Sequence, residues 1–470
     1  LLKPGGVLIY DIGEFQEHRR QPFAPPEAEG ETHIPLPLTR ISRELGFSGK
    51  GKNAIGLGAL TRLFGIPYDK AVEVAWQRWG KGRNPELMEG NLKAIERGYQ
   101  YVAENFGHVD LTLALPDQGE LETDQRLVLT GNQALGLGAL AAGCQFFAGY
   151  PITPASDIME FLAAHLPKVG GTMVQAEDEI AAAGMILGAG FAGVRAMTAT
   201  SGPGLALMGE MLGHASMTEI PVVFVNVQRA GPSTGMPTKT TQSDLNFVMR
   251  LGNGEAPRIV LAPTSVEDCF YQMINAFNMA ERYQLPVIVL SDQSLATRIE
   301  TINPFPRLDE IRIVERVTPP VSRVQQNGRD EKEYRRYEIT ESGISPMAIP
   351  GMRGFFYTAE GLEHNERGNP NYDPDMHIRM TEKRYRKLQT AEVEMRQWQF
   401  PVFSRFGAEQ AHMGVITWGA TEGPAREAVA RLLNKGLAVA AFVPKVLNPL
   451  PTQDLQDFID RVEVVVVPEV

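Results

Sequence analysis

Short apolar runs alternate, through the middle of the chain, with longer stretches that carry apolar residues at every third or fourth position. The runs predict buried strands and the spaced pattern predicts amphipathic helices. The predicted strands are Leu127–Leu129, Cys144–Ala148, Met173–Gln175, Arg195–Thr198, Pro221–Val227, Ile259–Leu261 and, last, Pro286–Leu290. The predicted helices between them are Asn132–Ala142, Ser156–His165, Glu179–Ala192, Gly204–Thr218 and Val266–Glu281. This alternation predicts an α/β fold with a parallel, doubly wound sheet.

The flanking segments have other patterns. Residues 1–115 predict a first domain with helices near 53–60, 68–79 and 91–102, and the proline-rich stretch 20–37 predicts a surface excursion. An acidic linker is expected at 110–126, before a domain at 126–300. Residues 301–410 are charged and weakly periodic, which predicts an extended arm that packs on another subunit. Residues 411–470 resume a strand–helix–strand pattern. We expect the sequence to be truncated at both ends.

The composition argues against several classes of function. The formal net charge is −11, which argues against binding nucleic acid or an anionic membrane, and no run of eighteen apolar residues is present. The two cysteines, Cys144 and Cys269, are far apart in sequence and cannot ligate a four-cysteine iron–sulfur cluster. Without a visible signal peptide, a cytoplasmic enzyme is the default expectation.

Polar loops rich in glycine and proline follow several of the predicted strands, where α/β proteins bind ligands. Glu179 is the strongest candidate within them. A carboxylate in a first helical turn is also what the helix dipole favours, so a purely structural role is the competing interpretation. The small residues that follow Glu179 allow another surface to come close. A buried carboxylate then needs a partner, and the aminopyrimidine of thiamine diphosphate would be one. We expect the neighbouring Glu177 and Asp178 to face solvent or a cation of a partner chain.

Two further loops carry candidate substrate contacts. Arg229 follows a strand, and its guanidinium fork suits a carboxylate, although a structural ion pair is an equal alternative. Thr153 lies between prolines and could offer a hydroxyl to a substrate carbonyl or could be a plain turn residue. The turn from Thr200 to Gly204 precedes a helix, so it either presents backbone N–H groups to an anion or merely caps the helix.

Other common motifs are missing from the sequence. The glycines at 131 and 136 lack the Lys-Ser/Thr of a phosphate-binding loop, and no Gly-x-Gly-x-x-Gly opens a βαβ unit. The histidines show no metal-binding spacing. His364 is a weak metal candidate and is better interpreted as structural, so no metal site is predicted in this chain.

Taken together, these motifs resemble the α subunit of the 2-oxoacid:ferredoxin oxidoreductases, in the 2-oxoglutarate type with a γ domain fused in front. The matching stretches are Thr130–Asn132, Gly149–Pro154, Gln175–Ala182, Thr198–Gly204, Gln228–Gly235, Gln242–Leu245, Pro286–Gln293, Thr340–Pro346 and Glu363–His364. The resemblance implies a truncated γ domain at 1–115, a pyrimidine-binding domain for thiamine diphosphate at 126–300, and the start of a transketolase-C-terminal-like domain at 411–470.

The resemblance also implies roles for residues. Glu179 would activate the pyrimidine, and Thr153 and Arg229 would face the substrate. Asp244 is a further candidate for a substrate contact. A distal carboxylate needs a second cation, for which Lys239 and Arg250 are candidates, although both could simply be solvated. Further cofactor contacts are expected from Pro151, Ile152, Thr200, Ser201 and Gly202.

A reaction and partners are implied as well. The reaction would be reversible oxidative decarboxylation of a 2-oxoacid, 2-oxoglutarate above others, with coenzyme A to give acyl-CoA, CO₂ and reduced ferredoxin. A β subunit would bind the diphosphate with Mg²⁺ and carry a [4Fe–4S] cluster, and two copies of each chain would form an (αβ)₂ assembly. A ferredoxin-independent thiamine diphosphate decarboxylase and a non-catalytic scaffold subunit are the alternatives.

Overall fold

The computed structural model describes residues 5–13, 30–47, 51–80, 85–111, 126–320 and 334–470. By its internal contacts the chain divides into two compact units, Leu1–Asp124 and Gln125–Val470. Within the described ranges, none of the helices combines the length and the apolar character needed to cross a membrane. The predicted linker falls almost entirely on residues 112–125, which lie outside the described residues.

In the first unit, the described elements are a parallel strand pair and four helices: β1 (Val7–Asp11), β2 (Thr32–Leu36), α1 (Leu38–Glu44), α2 (Lys52–Leu63), α3 (Tyr68–Trp79) and α4 (Pro85–Asn105). Helices α2 and α4 pack with their backbones in close contact at two glycines. A Cβ at Gly58 would lie 1.8 Å from the carbonyl oxygen of Ile95, and one at Gly98 would lie 2.0 Å from that of Ile55.

The prediction of a surface excursion through residue 37 was wrong for β2. The prolines at 35 and 37 argued against a strand, but Pro35 pairs with Tyr10 in the register of the two strands. A proline is compatible with a strand wherever its missing N–H is not needed for pairing. The predicted helices of this unit are confirmed, and α4 begins six residues before the predicted start at residue 91.

The second unit contains the alternating elements. The described helices are α5 (Gly131–Ala141), α6 (Ser156–His165), α7 (Glu179–Phe191), α8 (Gly202–Leu207), α9 (Gly209–Thr218), α10 (Leu245–Arg250), α11 (Val266–Tyr283), α12 (Gln293–Thr297), α13 (Pro374–Glu394), α14 (Glu422–Asn434) and α15 (Thr452–Ile459). The strands are β3 (Leu127–Thr130), β4 (Phe146–Gly149), β5 (Thr172–Gln175), β6 (Ala196–Thr200), β7 (Val222–Gln228), β8 (Ile259–Leu261), β9 (Pro286–Asp292), β10 (Ile299–Ile302), β11 (Phe403–Gly407), β12 (Met413–Ile416), β13 (Val439–Pro444), β14 (Val446–Asn448) and β15 (Val464–Val466).

A seven-stranded sheet in the order β14-β8-β9-β7-β6-β4-β5 forms the centre of this unit. Its strands are parallel except for the edge strand β14, which pairs antiparallel to β8. Successive side chains of the central strands enter two different cores: Val223 and Val225 pack on one face, and Val222 and Phe224 on the other. Because both faces are covered, every residue of β7 is buried, as parallel strands of a doubly wound sheet require.

Two predictions about this series were wrong in detail. Strand β3 does not join the parallel sheet but pairs antiparallel with β10, so Pro286–Leu290 is not the last strand. The predicted helix Gly204–Thr218 is two helices, α8 and α9, which meet at Met208. Local periodicity predicts a strand but does not specify which strand it pairs with.

The predicted extended arm contains helix α13 and packs against its own chain. Asp373 caps this helix by accepting a hydrogen bond from the backbone N–H of Met376 at 3.0 Å, and Pro374 occupies the first turn. Its buried face mixes apolar residues with cations, since Lys383, Arg384 and Lys387 are buried together with Met380 and Ala391. This explains why the sequence pattern did not predict the helix.

Helix α13 meets the ends of α9 and α11 in a set of buried charges, which we name the Glu219 cluster: Glu219, Arg336, Lys383 and Lys387. Lys383 donates to both carboxylate oxygens of Glu219 at 2.7 Å, and Lys387 also pairs with that carboxylate. Arg336 donates to the backbone carbonyl of Glu219 at 2.8 Å. The cluster therefore ties α13 to the main sheet through charge.

A second sheet, in the order β11-β13-β12-β15, contains the C-terminal strands. Strands β13, β12 and β15 are parallel, and β11 is antiparallel to β13. Strand β15 was expected to be a buried strand, yet its residues are exposed in this chain. The assignment of residues 126–470 to three domains stays a prediction.

Candidate active site

The carboxyl ends of the parallel strands converge on one edge of the seven-stranded sheet, and the predicted site loops leave from there. Gly149, Gln175, Thr200 and Gln228 are the last residues of β4, β5, β6 and β7. Ligands bind at this edge of open α/β sheets, in the crevice outside the strand ends. The geometry therefore brings loops that are far apart in sequence to a common edge.

Glu179 is the first residue of α7 and is buried, with 7% of its surface exposed. Asp178 is the N-cap and accepts a hydrogen bond from the backbone N–H of Ala181 at 2.7 Å. Because Asp178 performs the capping, Glu179 is not needed for that purpose. Glu177 and Asp178 are exposed, so Glu179 is the buried member of the three neighbouring acids.

The carboxylate of Glu179 lies against the turn after β6. A Cβ added at Gly204 would lie 2.6 Å from Oε1 of Glu179 and 2.1 Å from Oγ1 of Thr200. Within the part of the chain that the structure describes, the Glu179 carboxylate forms no hydrogen bond or ion pair. Burying a carboxylate without a partner costs several kcal/mol, on the order of the penalties measured for unpaired polar groups. The site therefore fits a proton-sharing group that comes from outside this chain.

Arg229 reaches across to the loop after β4. Its Nη1 donates to the carbonyl of Thr153 at 2.6 Å and its Nη2 to that of Thr234 at 2.7 Å. The residue is buried, and its Nε has no hydrogen-bond partner. No carboxylate of the described residues pairs with it, so the structural ion pair that we considered is not present there. The guanidinium charge is held by backbone dipoles and is not neutralised.

The loop that carries Thr153 is held by a hydrogen bond from helix α5. The Thr153–Pro154 peptide is cis, and the buried Asn132 side chain donates to the carbonyl of Pro154 at 2.7 Å. The residue Thr153 itself is exposed. Its hydroxyl is therefore accessible, while its carbonyl is used to orient Arg229.

A cleft beside Arg229 brings together several of the predicted residues. It is lined by Gly202, Pro203, Ala206, Arg229, Gly231, Pro232, Ser233, Thr234, Asp244 and Phe247. A Cβ at Gly202 would lie 2.9 Å from a carboxylate oxygen of Asp244, so a larger residue there would crowd the acid. Burial raises the pKa of Asp244, and a hydrogen bond from Nδ2 of Asn226 at 3.0 Å opposes that rise. The cleft thus pairs an unneutralised cation with an acid that is easier to protonate than usual.

The remaining candidates occupy varied positions. Pro151 is exposed, Ile152 is half-buried, and Thr200 and Ser201 are fully buried. The Ser201 hydroxyl donates to the carbonyl of Val227 at 2.8 Å, which leaves the backbone as its available donor. Lys239 and Arg250 are exposed and do not line the cleft.

His364 is structural, as we favoured from the sequence. It is fully buried, and its two ring nitrogens lie 2.9 Å from the carbonyl of Asn365 and 3.1 Å from that of Met217. Across the described ranges, the acidic, histidine and cysteine side chains form no group of three or more that could hold a metal ion.

Two site residues were missed in the sequence. Asn226 and Gln228 are fully buried in β7, and the side-chain carbonyl of Gln228 accepts the backbone N–H of Asp244 at 3.1 Å. The sequence did contain an indication of their role, because both are polar residues inside an otherwise apolar strand. A buried polar side chain in a central strand needs a partner, and here the partner is the wall of the cleft.

Comparison with known proteins agrees with this arrangement. Residues 137–383 match the model for the pyruvate flavodoxin/ferredoxin oxidoreductase thiamine diphosphate-binding domain, and residues 1–101 match the pyruvate ferredoxin/flavodoxin oxidoreductase model. The 2-oxoacid:ferredoxin oxidoreductase 2, subunit alpha, of Aeropyrum pernix is 32% identical over 520 aligned residues, which cover 100% of this chain and 78% of that protein. The chain belongs to the 2-oxoacid:ferredoxin oxidoreductase family.

Other members of the family give the same picture. The 2-oxoglutarate synthase subunit KorA of Methanocaldococcus jannaschii is 37% identical over 341 residues, covering 73% of this chain and 87% of that protein. A solved structure, the 2-oxoglutarate:ferredoxin oxidoreductase from Magnetococcus marinus with 2-oxoglutarate, coenzyme A and succinyl-CoA bound, has a TM-score of 0.81 and 42% identity. The match covers 100% of this chain and 78% of that one.

Coverage varies among the family members. The chain spans 60% of the length of the Sulfurisphaera tokodaii relative, which is named 2-oxoacid:ferredoxin oxidoreductase 1, subunit alpha. The predicted α/β fold with a thiamine diphosphate-binding sheet domain is confirmed by the family model and by the solved structure.

Proposed function

We propose that this chain works as the α subunit of a reversible 2-oxoacid:ferredoxin oxidoreductase, with 2-oxoglutarate as the preferred substrate. The reaction converts the 2-oxoacid and coenzyme A to acyl-CoA and CO₂ and reduces ferredoxin. Family membership supports the reaction class, and the names of the M. jannaschii and M. marinus proteins support the choice of 2-oxoglutarate. The observation that carries the proposal in this chain is the buried side chain of Glu179, whose carboxylate forms no hydrogen bond or ion pair with the described residues.

Glu179 fits the aminopyrimidine of thiamine diphosphate. Its carboxylate stands at the sheet edge where ligands bind, and Gly204 leaves room beside it that a side chain would fill. In the proposed mechanism Glu179 shares a proton with the ring nitrogen and so controls the protonation of the amino group. Thiamine diphosphate, when bound, supplies the nucleophilic carbon and the electron sink that decarboxylation needs. Pro151, Ile152 and the Thr200–Gly202 turn would contact the same group.

Arg229 and Thr153 are proposed to bind the 2-oxoacid. Two backbone carbonyls orient the guanidinium without neutralising it, so it can attract the substrate carboxylate. The exposed hydroxyl of Thr153 can donate to the 2-oxo group. Asp244, whose pKa is raised, can donate a hydrogen bond in its protonated form. Lys239, on the exposed loop, is the proposed partner of the distal carboxylate of 2-oxoglutarate.

The site needs a second chain. We propose a β subunit that binds the diphosphate with Mg²⁺ and carries the [4Fe–4S] cluster, because Cys144 and Cys269 are both buried and far apart in sequence. Helix α7 also has an exposed face beside Glu179, with Ile180 48% exposed and with room for a Cβ at Gly184. Such a face of small and apolar residues suits close packing of another subunit. Assembly as (αβ)₂ and electron transfer to ferredoxin complete the proposal.

The test compares Glu179→Gln with Glu177→Gln in the full-length chain purified with its β subunit. The assay is viologen dye reduction with 2-oxoglutarate and coenzyme A. Glu179→Gln removes one proton-transfer group, so we expect kcat to fall by at least about a hundredfold. Glu177 is exposed two residues away, and its variant should retain wild-type turnover.

The outcomes separate this function from its alternatives. If Glu179→Gln stays within a few-fold of wild type, the chain is a scaffold and the proposed role of Glu179 is wrong. If the partner contains no iron and 2-oxoglutarate is decarboxylated without dye reduction, the enzyme is a ferredoxin-independent decarboxylase.

A further inference from the structure

The loop between β7 and α10 carries most of the proposed substrate contacts and is open to solvent. Every residue from Gly231 to Thr240 is exposed. Its internal order comes from a small bridge, in which Met236 N–H donates to the Ala230 carbonyl at 2.7 Å. A loop of this kind is placed by its two ends and not by a core of its own. The first end is held by Arg229, as described above.

The second end is held by Thr240, whose hydroxyl donates to Oδ1 of Asp292 at 3.2 Å, and by Gln242, which is 5% exposed. Its Nε2 donates to the Trp418 carbonyl at 2.7 Å, and its Oε1 accepts the backbone N–H of Val470 at 3.1 Å. Its own backbone N–H donates to the Val470 carbonyl at 2.6 Å. All of the side-chain hydrogen bonds of Gln242 therefore go to segments that follow strands of the second sheet.

Trp418, whose carbonyl accepts from Gln242, is itself held in place. Trp418 is 5% exposed, packs in a core of the seven-stranded sheet, and donates from its indole Nε1 to Glu469 at 3.1 Å. Gly419 has a positive φ of 61°, and a Cβ there would lie 2.8 Å from Nε2 of Gln242. A glycine at 419 thus serves both the backbone turn and the close approach of the amide.

The loop transmits this anchoring to the cleft. Asp244 is two residues after Gln242, and Thr234, near the middle of the loop, accepts one hydrogen bond of Arg229. If the second end is released, Thr234 moves and the guanidinium loses one of its two supports. Glu179 follows a different strand and lies against Thr200 and Gly204, which are not part of this loop.

We propose that Gln242 is a positioning residue for 2-oxoacid binding, through which the C-terminal sheet holds the exposed loop whose Thr234 supports Arg229. The inference rests on the proposed function. It separates two effects of the same enzyme: substrate binding depends on Gln242, and cofactor binding at Glu179 does not. A guanidinium that has lost one of its two supports is less well oriented for a two-pronged contact with a carboxylate, so binding of the 2-oxoacid weakens.

The experiment uses the full-length chain purified with its β subunit and compares Gln242→Leu, Gln242→Glu and a control, Gln453→Leu. Gln453 is an exposed glutamine of α15 that bonds to Asp457. For Gln242→Leu we expect the KM for 2-oxoglutarate to rise about tenfold, with kcat and the Kd of thiamine diphosphate within about threefold of wild type. Gln242→Glu keeps an acceptor for Val470 but cannot donate to Trp418, so its KM should lie between those of wild type and Gln242→Leu. The control should match wild type.

A second measurement does not depend on activity. Lys239 is an exposed trypsin site within the loop, and we expect cleavage after it to be at least about fivefold faster in Gln242→Leu, because a released loop opens more often. A Gln242→Leu enzyme with unchanged KM and cleavage rate overturns the inference. A lower melting temperature and kcat with unchanged KM also overturns it, because the role is then merely structural. A wild-type complex without activity on 2-oxoglutarate refutes the proposed function instead, and the trypsin measurement still tests the loop.

Discussion

Glu219→Gln tests whether the Glu219 cluster is held together by charge. The substitution keeps the shape of the side chain but removes the Glu219 carboxylate, which faces Lys383 and Lys387, both of them fully buried with it. Arg336 is also buried, and two of its nitrogens, Nε and Nη1, have no hydrogen-bond partner among the described residues. Removing one partner of a buried ion pair leaves uncompensated charge and costs about 3–5 kcal/mol, whereas the intact pair can be nearly neutral relative to apolar residues.

Hydrogen–deuterium exchange is the suitable assay, because the chain has two compact units and a single global unfolding transition is not assured. We expect the opening free energy of peptides from α13 and α9 to fall by about 3–5 kcal/mol in Glu219→Gln. The control is Glu427→Gln, which removes an exposed pair with Arg431 on α14 and should leave the same peptides unchanged. Loss of less than about 1 kcal/mol would mean that the lysines are neutral in the folded protein, and the charge argument would be refuted.

Three further predictions concern the site and the arm. Gly204→Ala should weaken thiamine diphosphate binding at least about fivefold in a fluorescence titration, because overpacking beside Glu179 costs about 1–3 kcal/mol; unchanged affinity would contradict the proposed fit of the cofactor beside Gly204. Arg229→Lys should lower kcat/KM for 2-oxoglutarate at least about tenfold, because one ammonium cannot reproduce the two-armed support of the guanidinium; steady-state kinetics with wild-type values would contradict it. Burial raises the pKa of Glu363, but hydrogen bonds from Arg384 and His377 outweigh burial and hold it below its ordinary value of 4.5. Its stabilising contribution is therefore present above about pH 4.5 and lost below it, so the difference between wild type and Glu363→Gln in the opening free energy of α13 peptides, measured by hydrogen–deuterium exchange, should shrink on acidification; a difference that grows would refute the sign.

Local signals in the sequence were sufficient for the alternating part of the fold. Helix Ser156–His165 and strand Ile259–Leu261 have the predicted bounds, because apolar periodicity and turn residues act within a few positions. The pairing of β3 with β10 was missed because it joins residues far apart in sequence. Helix α13 was missed because two lysines and an arginine interrupt the apolar pattern of its buried face, and their burial depends on Glu219 and Glu363 in other segments.

In the candidate active site, too, local positions were predictable from the sequence but contacts between loops were not. The position of Glu179 at the start of a helix followed from the sequence, and so did the position of Arg229 after a strand. The sequence did not determine that the guanidinium would rest on the carbonyls of Thr153 and Thr234, or that Gln242 would reach Trp418. These are contacts between loops, and backbone carbonyls have no signature in a sequence.

The edge strand β14 has a practical consequence for attempts to divide the protein. Its backbone completes the cofactor-binding sheet beside β8, and Asn448 donates to the carbonyl of Arg258 at 2.6 Å. A shortened form that stops before residue 411 would expose the backbone groups of β8 as an open template for other chains, which is how soluble sheets begin to aggregate. The smallest piece that stays in solution should therefore extend through residue 448, and the sheet domain cannot be separated from the segment that follows it.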